Sequence, residues 1–264
     1  MDNVLKKIIN KKKINIKNYK KKFSEHYLLN NINNSIHFID FKKKMKKRIS
    51  EKKISIIAEI KKASPSAGLL VKNFDYLNIA KVYSENGASF LSVLTEEDFF
   101  LGKLDFIKNI KQAVKLPVLC KDFFIDTFQV PLARSFGADC ILIILSAVDK
   151  VLAKDLYQAA LNLKMSVLIE VHTQKESELA LSFEDSIIGI NNRNLKTLEI
   201  SLDTTVNLFK ILKDHKNPLV SESGIHSSRE IKFITENTKI KNFLIGESLL
   251  TSEDIPSKLR ELLK

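Results

Sequence analysis

Glu59 and Lys61 stand two residues apart in the run ISIIAEIKK, and Glu59 interrupts an otherwise apolar stretch that ends at Lys61 and Lys62. Side chains of an extended segment alternate with period two, so this carboxylate and ammonium share one side of it. Placing such a pair in a greasy strand carries a desolvation cost that packing alone does not return. The small-residue loop Ser64-Pro65-Ser66-Ala67-Gly68 follows at once, and backbone of that kind can bring N–H groups close to a phosphate. The segment reads as one edge of an active site.

Other apolar runs end in the same manner. Lys121 and Asp122 close PVLCKD, Glu170 closes SVLIE, and Asn191, Asn192 and Arg193 close SIIGINNR. Glu222, Ser223 and Gly224 close PLVSESG, while Gly246 and Glu247 close NFLIGE. Lysines and glutamates facing one cavity shift each other's pKa values, leaving one group to donate a proton and another to accept it. The chemistry this supports is general acid–base work on a phosphorylated small molecule. The phosphate is expected near SESG and IGES, where helical stretches with free N–H groups follow. No metal site is expected: Cys120 and Cys140 lie in apolar runs and read as buried free thiols. His172 is expected on the face opposite Glu170, as a structural residue. His26, His37, His215 and His226 read as surface histidines.

These residues need elements to position them. Short β-rich runs begin near Ile54, Phe90, Pro117, Cys140, Ser166, Ser186, Pro218 and Asn242. Stretches with helical period lie between them, at Tyr76–Asn86, Lys150–Leu163, Leu202–Leu212 and Ser228–Thr235. Alternating strands and helices imply a parallel sheet, and eight units suit an α/β fold closed as a (β/α)₈ TIM barrel, whose sites form at the carboxyl ends of the strands. An open doubly wound sheet is the rival, but no GxGxxG follows the first run. Residues 1–50 read as an N-terminal helical extension packed on the barrel, with helical pieces at Val4–Ile9 and Phe38–Met45 around a Lys- and Asn-rich middle. Residues 51–264 read as the catalytic barrel, the whole forming one domain.

With 264 residues, 44% of them hydrophobic, the chain can bury a large core. Its net charge of +12 is an N-terminal property: residues 1–53 carry 17 Lys and Arg against 4 Asp and Glu. A basic segment raises a nucleic-acid-binding alternative, but lysine alternating with Ile and Asn and few stacking aromatics reads as compositional bias, so no nucleic acid is expected. No apolar run reaches the roughly 18–20 residues of a membrane span, and no signal-peptide pattern opens the chain. The expected location is cytoplasmic.

The motifs IAEIKKASPSAG, SVLTEEDFFLG, PVLCKDFFID, LIEVH, GINNRNLKTLEI, SESGI and FLIGESLL, in this order, resemble the indole-3-glycerol phosphate synthase family. The resemblance covers essentially the whole chain. It ends after the eighth unit, as in monofunctional members that lack the phosphoribosylanthranilate isomerase domain of some bacterial relatives. It implies a cofactor-free lyase of tryptophan biosynthesis acting on 1-(2-carboxyphenylamino)-1-deoxyribulose 5-phosphate. By resemblance Lys121 is the general acid of ring closure and Lys61 engages the anthranilate carboxylate. Glu170 serves dehydration, Glu59 positions Lys61, and Asn191 and Ser223 hold substrate hydroxyls and the lysine network. Ser64, Gly224 and the Gly246–Glu247 backbone match the phosphate cradle, Phe100 and Phe123 the walls around the aromatic ring, and Arg193 and Glu222 supporting partners. Two positions depart from the pattern. Glu247 stands where many relatives have Ser, so its side chain is expected to turn away from the phosphate. Ala63 stands where some have a basic residue. The rival enzyme reading is another phosphate-binding barrel, such as a phosphoribosyl isomerase. Other tryptophan-pathway enzymes are conceivable partners.

Overall fold

The computed structural model describes residues 4–32, 37–195 and 197–264. Parts of the expected extension (residues 1–3 and 33–36) and Lys196 of the GINNRNLKTLEI motif lie outside them. Eight parallel strands close into a barrel. They are β1 (Ser55–Ile60), β2 (Phe90–Leu94), β3 (Val118–Lys121), β4 (Cys140–Ile144), β5 (Ser166–Val171), β6 (Ile187–Asn191), β7 (Leu219–Glu222) and β8 (Asn242–Ile245). The seam is closed by β1 against β8, in register from Ser55↔Asn242 to Ala58↔Ile245.

The strands are buried on both sides, which explains their near-continuous Val, Ile and Leu content. One set of side chains fills the barrel interior, among them Ile57, Phe90, Leu119, Leu142, Leu168, Val220 and Leu244. The alternate set packs beneath the surrounding helices. Those helices are α4 (Tyr76–Glu85), α5 (Leu104–Ala113), α6 (Gln129–Ser135), α7 (Lys150–Asn162), α8 (Gln174–Ala180), α9 (Asp203–Leu212), α10 (Ser228–Thr238), α11 (Glu247–Leu250) and α12 (Ile255–Leu262). The helix edges expected from periodicity lie within a few residues of these.

The N-terminal segment differs from its expected form. Its first helix, α1, runs Val4–Lys22, well past Ile9, and α2 follows at Glu25–Ile32. Lysine is a competent helix former, and the Lys-rich stretch continues the helix because Ile8, Lys12 and Ile16 recur every four residues on one buried face. The third helix, α3, is Phe41–Ser50; it starts at 41 because Asp40 caps it, accepting from the Lys43 backbone N–H at 2.8 Å. Its Phe41 and Met45 plug the amino-terminal end of the barrel, with the Phe41 and Phe90 ring centroids 4.5 Å apart. Among the described residues no helix is long and apolar enough to cross a membrane.

Candidate active site

The carboxyl ends of the strands surround a cavity of about 360 Å³. All fourteen residues expected at the site line it: Glu59, Lys61, Ser64, Phe100, Lys121, Phe123, Glu170, Asn191, Arg193, Glu222, Ser223, Gly224, Gly246 and Glu247. Regular alternation along β1, β3, β5, β6 and β7 turns these polar side chains into the barrel mouth.

Lys121, the last residue of β3, lies at the centre. Its Nζ donates to Glu170 Oε2 at 2.7 Å and to Glu222 Oε2 at 2.8 Å. Burial alone would lower the lysine pKa, but Glu170, Glu222 and Glu59 outweigh it and raise the value, so Lys121 is firmly protonated. The two glutamates differ in their response. Burial pushes Glu222 up to about 7, an effect that Lys121 opposes and Glu170 reinforces. Burial acts on Glu170 in the same sense, yet Lys121 and His172 overcome it and hold this carboxyl well below the usual range. Two neighbouring carboxyls with separated proton affinities are the raw material of acid–base chemistry.

Across the cavity, Lys61 Nζ sits 2.7 Å from Glu59 Oε1. Asn191 links the two halves of the far wall: its Nδ2 donates to Glu170 Oε1 at 3.2 Å, and its Oδ1 accepts from Ser223 Oγ at 2.9 Å. Ser223 adopts φ +67° and Gly224 φ +78°, a left-handed pair that for serine is an uncommon, strained conformation. The turn aims the Ser223 hydroxyl inward. It also means that SESG does not open straight into a helix as expected, since α10 begins only at Ser228. Gly246 does precede a helix directly, the short α11.

Two glycines make room for the carboxylates. A Cβ on Gly189 would come within 2.0 Å of Glu222 Oε1, and one on Gly246 within 2.4 Å of Glu59 Oε1. Gly246 thus seats a glutamate as well as standing at the expected phosphate cradle. On the apolar side, Phe100 and Phe123 face each other with centroids 6.3 Å apart and planes at 42°. Glu247 lines the cavity, and its Oε2 lies 3.6 Å from Nη2 of Arg193, another lining residue.

Several contributors escaped sequence reasoning. Val4, Leu5 and Ile8 of α1 line the cavity, and only their helical spacing hinted at a buried face. Lys12 forms a buried ion pair with Asp122 at 2.7 Å, reaching the residue next to Lys121 across 110 positions of sequence. His172 lies on the same side as Glu170, not the opposite one. Period-two alternation already implied this, because the two are separated by two residues. His215 is also half-buried, its Nε2 2.9 Å from the Ser186 carbonyl oxygen, whereas His26, His37 and His226 are exposed. Cys120 and Cys140 are buried and unpaired with each other.

The sequence profile of the family described as Indole-3-glycerol phosphate synthase matches residues 5–262. A relative of that name from Polaromonas sp. (strain JS666) is 45% identical over 224 residues, 84% of each chain. Another, from Bordetella pertussis, is 39% identical over 262 residues, 99% of each chain. Solved structures with the same fold include more distant ones. A 3-hexulose-6-phosphate synthase from Salmonella typhimurium aligns with a TM-score of 0.63 at 16% identity, covering 79% of this chain and 96% of that one. A phosphoribosylanthranilate isomerase from Thermotoga maritima aligns with 0.57 at 8% identity, covering 79% and 96%.

Proposed function

The chain belongs to the indole-3-glycerol phosphate synthase family, and we propose that the strand-end ring around Lys121 carries out that family's reaction. The reaction is a step of tryptophan biosynthesis. It converts 1-(2-carboxyphenylamino)-1-deoxyribulose 5-phosphate into indole-3-glycerol phosphate, releasing one carbon dioxide and one water. The observation that carries the residue assignment is the placement of Lys121 Nζ between Glu170 and Glu222, both within 2.8 Å.

Phe100 and Phe123 clasp the anthranilate ring, and Lys61 pairs with its carboxylate, steadied by Glu59. The substrate phosphate lies toward Ser64, Gly224 and the Gly246–Glu247 backbone, and Arg193 exchanges the Glu247 carboxylate for the phosphate or a neighbouring hydroxyl. Lys121 enters protonated and gives its proton to the ribulosyl carbonyl oxygen as the aryl carbon attacks the carbonyl carbon. Loss of carbon dioxide then leaves the electron pair in the ring system. Glu170 removes the ring proton while Lys61, released from the departed carboxylate, gives a proton to the hydroxyl, which leaves as water, and Glu222 keeps Lys121 supplied with a partner throughout. Asn191 and Ser223 hold the hydroxyls that do not leave. The same reading puts the protein in the cytoplasm, beside the enzymes that make its substrate and use its product.

Incubating the protein with the carboxyphenylamino-deoxyribulose phosphate and following indole fluorescence tests this directly. Wild type should generate product. Lys121→Ala and Glu170→Gln should lose about a hundredfold or more in kcat, the usual weight of a positioned acid or base. Near wild-type turnover in either variant would remove that residue from its assigned role.

A further inference from the structure

We propose that His172 is a positioning residue for Glu170, a buried cation set against its carboxylate that keeps it ionised for the proton removal assigned to it above. The proposal rests on that assignment of Glu170. His172 Nε2 lies 3.2 Å from Glu170 Oε1 as an ion-pair contact without hydrogen-bond alignment, while its Nδ1 is hydrogen-bonded to Glu176 Oε2 at 3.2 Å. The imidazole therefore spans two carboxylates, one inside the site and one on α8.

The cation is fixed from its far end. Glu176 also accepts the His172 backbone N–H at 2.7 Å, so one carboxylate holds both the main chain and the ring of the histidine. The ring is buried, with 8% of its side chain exposed, and it does not line the cavity. It acts on the substrate only through Glu170. Oε2 of that glutamate is given to Lys121 and Oε1 to Asn191, so both oxygens and hence the carboxylate plane are set. Charged groups around the pair are Glu176 from α8, Lys121 from β3, Glu222 from β7 and, set against Lys121 and Glu222, Glu59 from β1. Three of those four are acidic, so the histidine supplies a second cation in a region of negative charge. Burial would lower the imidazole pKa, but Glu170 and Glu176 raise it to about 9. A cation at that distance favours the ionised form of Glu170.

The test compares kcat, KM and the pH profile of kcat in His172→Leu, His172→Asn, Glu176→Gln and Glu170→Gln, with NMR titration of the His172 ring protons. His172→Leu should lose at least tenfold in kcat while KM stays within twofold, and the acidic limb should move up by about one pH unit. His172→Asn keeps a polar side chain without the charge, so it should show the same loss of kcat and the same displaced limb; it also serves if the leucine variant fails to fold. In Glu176→Gln and Glu170→Gln the imidazole midpoint should fall by at least one unit. Histidine variants with wild-type kcat and limb beside an inactive Glu170→Gln would overturn this inference alone. A fully active Glu170→Gln would overturn the assignment of Glu170, and the role of His172 with it.

Discussion

At Lys121 the site concentrates more charge than a core tolerates. Glu59, Glu170 and Glu222 are all buried there, and close carboxylates cannot all ionise freely. Glu222 bears most of this conflict. Its folded pKa of about 7 stands above its ordinary value, so the folded state holds that proton more tightly than the unfolded chain. Its contribution is therefore fully present below about pH 4 and is lost as pH rises through 7. Glu222→Gln should accordingly stabilise the protein by about 1–3 kcal/mol at pH 8 and by much less at pH 5. Thermal melts at the two pH values measure this, and kcat should fall at least tenfold in the same variant. Gly189→Ala should do the reverse for stability, because the new Cβ would collide with Glu222 Oε1. A loss of about 1–3 kcal/mol is the ordinary cost of such overpacking, and turnover should drop as the carboxylate is displaced.

Among the elements, α1 has a reach that its composition does not suggest. It touches the loop after β2, which carries Phe100, through Tyr19 to Glu97 and Asn15 to Asp98. It touches the loop after β3, which carries Phe123, through Lys12 to Asp122 and Lys20 to Asp126. Asp122 in turn accepts from Thr95 Oγ1 and from the Phe123 backbone N–H, both at 2.7 Å. Lys12→Ala would leave this buried carboxylate without its cation. Breaking such a pair costs about 3–5 kcal/mol, and chemical denaturation should show it; KM should rise as the two phenylalanines lose their anchor. The strand-end ring was legible in the sequence because alternation and the βα repeat are local properties. SVLIE and PLVSE each announce a buried run that ends in acid. The Lys12–Asp122 pair was not legible, because nothing local marks one lysine among many as buried. Phe41 as a barrel plug was hidden for the same reason, its partners being spread over every quarter of the chain.

For the whole molecule, the basic excess sits almost entirely before residue 54, in the segment whose first helix lines the cavity. A substrate carrying a carboxylate and a phosphate should feel that field on approach. Raising ionic strength from about 20 mM to about 300 mM should lower kcat/KM several-fold while leaving kcat nearly unchanged. Steady-state kinetics across a salt series checks it; a flat kcat/KM would show that the lysines do not steer. The seam between β1 and β8 sets a timetable for synthesis. Ser55 has its partner at Asn242, so on the ribosome the first strand waits with one edge open until β8, nearly 190 residues later, emerges. Contacts so distant in sequence form slowly, and exposed strand edges invite pairing with the wrong chain. The lysine-rich segment that precedes β1 puts positive charge beside that edge, and like charge disfavours association between copies.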